Sequence, residues 1–191
     1  MNAWKADIAL AQEAHIDAFA LNIRTGDSSL SSSLPLAFSA AESLGFKLFF
    51  SFDYAGGGPW GAAEVVDLIN RYRASSAYYY HKNKALVSTF EGPANAADWI
   101  GIKASTQCFF IPDWSSAGAK AALSLVEGVV DGLFSWAAWP WGNTDMNTYV
   151  DASYLQFLNE TGTPLAYMMP VSPWFFTNLP GYDKNWLWRG E

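Results

Sequence analysis

KLFFSFDY, residues Lys47 to Tyr54, decides how this chain is read. An apolar run with no polar alternation stops at a carboxylate, Asp53, and a strand this apolar is covered on both faces, as in a parallel sheet. The plan recurs downstream. Ala85 to Gly92 (ALVSTFEG) ends near Glu91, Gln107 to Trp114 (QCFFIPDW) ends near Asp113, and Asp131 to Trp139 (DGLFSWAAW) ends in tryptophan. Ala18 to Ile23 (AFALNI), closing on Asn22, and Leu165 to Val171 (LAYMMPV) complete six predicted strands.

The segments between them read as helices and loops. Trp4 to Ala14, Leu34 to Leu44 (stopped by Gly45), Ala62 to Arg73, Asn95 to Ala104, Ser116 to Leu125 and Asp145 to Asn159 carry helical patterning. Tyr78 to Tyr80 precede the strand that leads to Glu91. Strands alternating with helices give a parallel α/β fold in one domain, 1–191, because no composition break marks a linker. A doubly wound sheet would show a glycine-rich phosphate turn, and Gly56 to Gly58 lacks the required continuation. A (β/α)8 barrel places its site at the C-terminal strand ends, where Asn22, Asp53, Glu91, Asp113 and Trp136 fall. About six of the eight β/α units are present, so the expected architecture is an incomplete TIM-type barrel lacking its first and last strands.

Composition narrows the partners. The 191 residues carry a formal net charge of −7, and the eleven Lys and Arg form no run, which argues against nucleic acid. Aromatic content is 17% with ten Trp, more than a core of this size needs, and flat indole faces suit sugar rings. Cys108 lies inside an apolar run and reads as a buried thiol; His15 and His81 have no metal-ligand spacing, so no metal is expected. No stretch reads as a transmembrane helix or a signal peptide in this chain, and no membrane partner is expected. A barrel enzyme acting on phosphorylated metabolites would need a glycine-rich turn after a late strand, where this sequence is aromatic and proline-rich.

Glycoside hydrolysis needs two carboxylates across an aromatic-lined cleft, one protonated and one ionised. Asp53, Glu91 and Asp113 are the candidates, and spacing in sequence cannot select a pair. Tyr54, Trp60, Trp114, Trp136, Trp139, Trp141 and Trp174, with Asn22, are the candidate substrate-binding residues, and the loop GGGPW presents Trp60 as an exposed binding residue. Strand-end acids of barrels also serve merely to bind substrate hydroxyls or fix loops.

The runs HIDAFALNI (15–23), FFSFDY (49–54), STFEG (88–92), FIPDW (110–114), DGLFSWAAWPWG (131–142) and YMMPVSPWFFTNLPGYDKNWLWRGE (167–191) resemble the fungal α-1,3-glucanases, or mutanases, of glycoside hydrolase family 71. The resemblance covers nearly the whole chain in order. It implies a (β/α)8 catalytic domain, extracellular or acting on the cell wall, that hydrolyses the polysaccharide α-1,3-glucan with inversion and without a cofactor. In that family the first barrel strand precedes the opening helix, and a downstream strand carries a Trp-Asn-Asp-aromatic-Gly-Glu-Ser-His stretch whose acids are the foremost acid/base pair. The sequence here runs to Glu191 without that stretch, and no Asp in it is followed three positions later by Glu. The resemblance therefore implies a fragment whose main pair lies beyond Glu191, and in which Asp53, Glu91 and Asp113 bind substrate or support the site. The alternative is a non-catalytic carbohydrate-binding remnant or truncated gene product. Asn159-Glu160-Thr161 is a glycosylation sequon, compatible with secretion.

Overall fold

The computed structural model of the protein describes residues 2–125, 127–140, 142, 144–162, 165–172 and 175–178. Its elements run α1 (Asn2–Glu13), β1 (Ala18–Arg24), α2 (Leu30–Leu44), β2 (Lys47–Asp53), α3 (Ala62–Tyr72), β3 (Tyr80–His81), β4 (Lys84–Phe90), α4 (Asp98–Thr106), β5 (Phe109–Asp113), α5 (Gly118–Leu125), β6 (Gly132–Phe134), α6 (Tyr149–Glu160) and β7 (Ala166–Met168). One sheet orders them β1-β2-β4-β5-β6-β7, all parallel, with β3 added antiparallel to β4. Strand neighbours follow chain order, so each helix is a crossover that returns to start the next strand alongside the last. This is the strand order of a (β/α) barrel, and among the described residues β1 and β7 do not pair to close it.

Aromatic packing fixes the two faces of the sheet. Phe50 meets Phe38 of α2 and Tyr72 of α3, Phe52 meets Trp60, and Phe110 stacks on Trp99 of α4 with centroids 3.7 Å apart. All of these but the half-buried Tyr72 are buried between the sheet and its helices, and that burial supplies the main driving force for the layer. Because side chains alternate along a strand, Phe49, Ser51 and Asp53 lie on the other, inner face. There Phe49 meets Tyr79 and Phe109 meets His81, so the β3–β4 hairpin underlies the N-terminal end of the inner face. On β1 the inner-face residues Ala20, Asn22 and Arg24 are exposed, whereas Leu21 and Ile23 are buried against helices.

The helix ends follow local chemistry. Gly45, at φ 69°, takes the left-handed conformation that ends α2 and donates its N–H to Ala41 and Glu42 carbonyls. Glu64 lies in the first turn of α3 and Arg71 in its last, each matched to the helix dipole.

Several boundaries differ from expectation. The sheet has seven strands, because Tyr80–His81 pairs with β4 as a short hairpin strand. The predicted strand 131–139 is paired only over Gly132–Phe134, and the one predicted over 165–171 only over Ala166–Met168. Gly132 explains the tight contact between them: a Cβ there would sit 2.3 Å from the Ala166 carbonyl oxygen. The helix expected from Asn95 is split, with a 3-10 turn over Pro93–Asn95 and α4 beginning at Asp98. The sequence to Thr148 stays outside α6, which begins at Tyr149 rather than Asp145.

Candidate functional site

The parallel register puts Arg24, Asp53, Phe90, Asp113, Phe134 and Met168 side by side across six strands. This row is the C-terminal rim of the sheet, where barrel sites are built. Two residues lower on β1, Asn22 is the cross-strand partner of Ser51, and the Ser51 hydroxyl donates to Asn22 Oδ1 at 3.1 Å.

Asp53 ends β2 with its Oδ1 accepting the Ala55 and Gly56 amides at 2.8 and 2.7 Å. The carboxylate thereby caps its own turn, an Asx arrangement. Gly56 is needed there, since a Cβ would lie 2.6 Å from Asp53 Oδ2. Tyr54, next in sequence, is buried, and burial pushes its phenol up, with the Asp98 carboxylate adding to the shift.

Glu91 follows β4 in the left-handed region, φ 55°, with Gly92 at φ 91° behind it. Only glycine fits position 92, because a Cβ would come within 2.6 Å of Tyr54 Cγ. This turn lifts Glu91 out of the sheet towards the loop after β5, where Ser116 donates its amide to Oε1 at 3.1 Å and its hydroxyl to Oε2 at 2.5 Å.

Asp113 is fully buried at the end of β5. Its Oδ1 accepts the Ser115 amide at 3.1 Å and the Ser115 hydroxyl, while Oδ2 has no partner among the described residues. Burial raises its pKa to about 7; the Glu91 charge adds to the shift and the Ser115 bonds oppose it. Phe90 and Phe134 are its neighbours in the register, and Trp136 contacts both rings at 4.8 and 5.7 Å, spanning the strand between them. Tyr154 of α6 completes the surroundings. Burial raises its phenol, Ser115 opposes the shift, and the Asp113 and Glu91 carboxylates add to it.

The expected tryptophans separate into two groups. Trp136 is 43% exposed at the rim, and the half-buried Trp139 lies 6.2 Å from it and stacks on Phe175 at 4.2 Å. Trp60 and Trp114 correct the expectation. Trp60 is 2% exposed, its ring edge-on to Phe52, and Trp114 is 0% exposed, against Phe110. The glycines before Trp60 allow the chain to fold the indole inward rather than display it, so neither ring has a face free for a sugar. Trp141 and Trp174 lie outside the described residues, as does Glu191, the position past which the main acid/base pair is expected.

Ser115, Ser116 and Tyr154 join the site without having been singled out in the sequence. The Ser-Ser pair between a strand-end acid and a helix reads as an ordinary helix start, and Tyr154 is one of many helix aromatics. Cys108 is buried, and burial pushes its thiol up, which leaves it a poor nucleophile. Among the described residues no three His, Cys, Asp or Glu gather as metal ligands, and no helix is long and apolar enough to cross a membrane.

The sequence model of glycosyl hydrolase family 71 matches residues 1–191. A mutanase of Penicillium rubens is 35% identical over 98% of this chain and 42% of its own length. Glucan endo-1,3-alpha-glucosidase of Schizosaccharomyces pombe is 34% identical over 98% of this chain and 46% of its own. The chain thus spans less than half the length of these relatives. In fold it is similar to a GH99 endo-alpha-mannosidase from Bacteroides thetaiotaomicron, with TM-score 0.66 and 16% identity over 92% of this chain and 57% of that one. A glycoside hydrolase-like protein matches with TM-score 0.68 and 13% identity over 100% of this chain and 68% of its own.

Proposed function

The chain belongs to glycosyl hydrolase family 71, and from that premise we propose that it forms part of the catalytic barrel of an enzyme that hydrolyses α-1,3-glucan. The observation that carries this reading is the rim itself: Asp53, Glu91 and Asp113 end successive parallel strands on the rim where the exposed indole of Trp136 packs on Phe90 and Phe134. Its relatives' names, mutanase and glucan endo-1,3-alpha-glucosidase, supply the substrate.

Inversion requires one carboxyl group to protonate the leaving oxygen and another to activate water from the opposite face. The three carboxyls here suit supporting roles. Asp113 has the proton affinity of a general acid, yet its carboxyl is sealed from solvent and substrate. Asp53 is committed on one oxygen to its turn, and Glu91 accepts bonds on both oxygens from Ser116. We therefore assign the principal acid and base to sequence beyond Glu191, with Asp53 and Glu91 contacting substrate hydroxyls and Asn22, Trp136 and Trp139 extending the sugar groove. No cofactor enters this mechanism.

Reducing-sugar release from insoluble α-1,3-glucan tests the assignment. The 191 residues alone should bind glucan without hydrolysing it, whereas a protein extended to the relatives' length should do both. Turnover by the short chain would move the acid/base pair back among Asp53, Glu91 and Asp113; binding without turnover by the long one would favour a carbohydrate-binding role.

We also place the protein outside the cell or at the wall. Asn159 is exposed in the last turn of α6, as the Asn-Glu-Thr sequon requires. A glycosidase-sensitive mass on the protein secreted from a fungal host, lost in Asn159→Gln, is expected; unglycosylated protein retained in cytosol would count against it.

A further inference from the structure

Two adjacent serines, Ser115 and Ser116, each bind a different strand-end carboxylate, and each does so with both amide and hydroxyl. Ser115 donates both groups to Asp113 Oδ1, and Ser116 donates them to the two oxygens of Glu91. Two carboxylates on neighbouring strands repel, and apart from the β4–β5 register and the tight turn at Glu91 and Gly92 it is this serine pair that bonds to both. A dipeptide has little freedom, since consecutive Cα atoms are about 3.8 Å apart. Ser115 then makes one bond more. Its Oγ accepts the Trp136 amide at 2.8 Å, so the hydroxyl that donates to Asp113 also holds the loop after β6.

We infer that Ser115 and Ser116 form a positioning clamp for the sugar site: Ser116 seats Glu91, and Ser115 transmits the state of the buried Asp113 carboxyl to the exposed Trp136 platform. The inference rests on the glucan reading for its ligand, but the connection from Asp113 to Trp136 is a property of the protein alone. When Asp113 is ionised, the Ser115 O–H is held towards Oδ1 and its lone pair is aimed at the Trp136 N–H. Protonation weakens Oδ1 as an acceptor, frees the hydroxyl to turn, and loosens the loop. The serines touch the carboxylates and the loop backbone, so they act through Glu91 and Trp136 rather than on the glycosidic bond.

The titratable groups facing Asp113 are Glu91 from the end of β4 and Tyr154 from α6, with Tyr167 of β7 beyond, stacked on Tyr154 and donating to Asp151 at 2.6 Å. No cation pairs with Asp113, Glu91 or Tyr154 among the described residues. Both phenols are shifted upward by burial, away from neutral pH. Glu91, whose charge adds to the upward shift of Asp113, is taken out of the comparison by Glu91→Gln.

The test combines fluorine NMR of 5-fluorotryptophan-labelled protein, with the Trp136 resonance assigned by its loss in Trp136→Phe, and calorimetric binding of an α-1,3-linked gluco-oligosaccharide. In the wild type the Trp136 resonance should move with pH about a midpoint near 7, where Asp113 titrates, and in Glu91→Gln it should still move, about a lower midpoint because the neighbouring charge is gone. It should stay flat in Asp113→Asn and Ser115→Ala, and return in Ser115→Thr, which restores the hydroxyl. Oligosaccharide affinity should fall roughly five- to tenfold in Ser115→Ala and Ser116→Ala, the scale of one or two lost hydrogen bonds, and recover in the threonine variants. A wild-type pH response that survives in Ser115→Ala, or in Asp113→Asn should the alanine variant not fold, overturns the relay. Unchanged affinity in both alanine variants overturns the clamp. A wild type that binds no α-1,3-oligosaccharide while Trp136 still follows Asp113 supports the relay and overturns the glucan reading instead.

Discussion

Asp113 shows how one residue can set a pH dependence. Its carboxyl is raised from the ordinary value near 4 to about 7, chiefly by burial, so the folded protein holds this proton more tightly than the unfolded chain does. The stability tied to that proton is full below about pH 4 and is lost as pH rises towards 7. Melting temperatures between pH 4 and 8 should therefore fall more steeply for wild type than for Asp113→Asn, and parallel curves would show the carboxyl to be ordinary. The tryptophans separate on the same principle of burial. Trp136→Ala should leave melting nearly unchanged while weakening glucan binding by about 1 to 3 kcal/mol, and Trp60→Ala should destabilise the fold by about 3 to 5 kcal/mol. Thermal melts and binding isotherms on the two variants decide it; a stable Trp60→Ala protein with lost binding would restore Trp60 to the groove. The three strand-end acids were legible in sequence because each terminates an apolar run. Trp60 was not, since three glycines look the same whether they release an indole to solvent or turn it onto Phe52. Nor was the Ser115–Ser116 pair, whose importance depends on Glu91 arriving from a strand more than twenty residues away.

Elements were legible where a residue type admits one conformation. Gly45 marks the end of α2 because the chain must turn left-handed there, and the β2, β4 and β5 runs are too apolar for anything but a covered strand. The lengths of β6 and β7 were hidden, since an apolar run continues past its last ladder bond and the loop that follows is itself aromatic. Gly132 sets how closely those two strands approach, which is a property of the pair and not of either sequence. The turn after β4 is the most constrained element of the rim. Gly92→Ala would place a Cβ against the Tyr54 ring at a backbone angle that alanine resists, at a cost of more than about 1 kcal/mol. A lowered melting temperature together with weakened sugar binding is the expected result, because the same turn aims Glu91. Wild-type behaviour in both measurements would mean that the loop repacks freely.

For the molecule as a whole, the barrel order was readable from the alternation of strands and helices, while the hairpin beneath it was not, because two paired residues leave no periodicity. Yet that hairpin bears on how the chain finds its fold. Its turn residues Lys82 and Asn83 are both left-handed, at φ 49° and 62°, the geometry of the tight turn that suits twisted strands. Every other strand pairing here waits for a helical crossover, whereas β3 meets β4 across two residues and can form on the microsecond scale of an isolated hairpin. β4 is also the strand with three partners, β2, β5 and β3, so the earliest local contact lies on the most connected strand. Assembly would then spread outward from β4, with β1 and β7 joining last. In deuterium exchange of the native protein, the amides of Leu86 to Thr89 should be the slowest to exchange and those of β1 and β7 the fastest among the strands. The opposite order would place the folding nucleus at a rim of the sheet rather than at its centre.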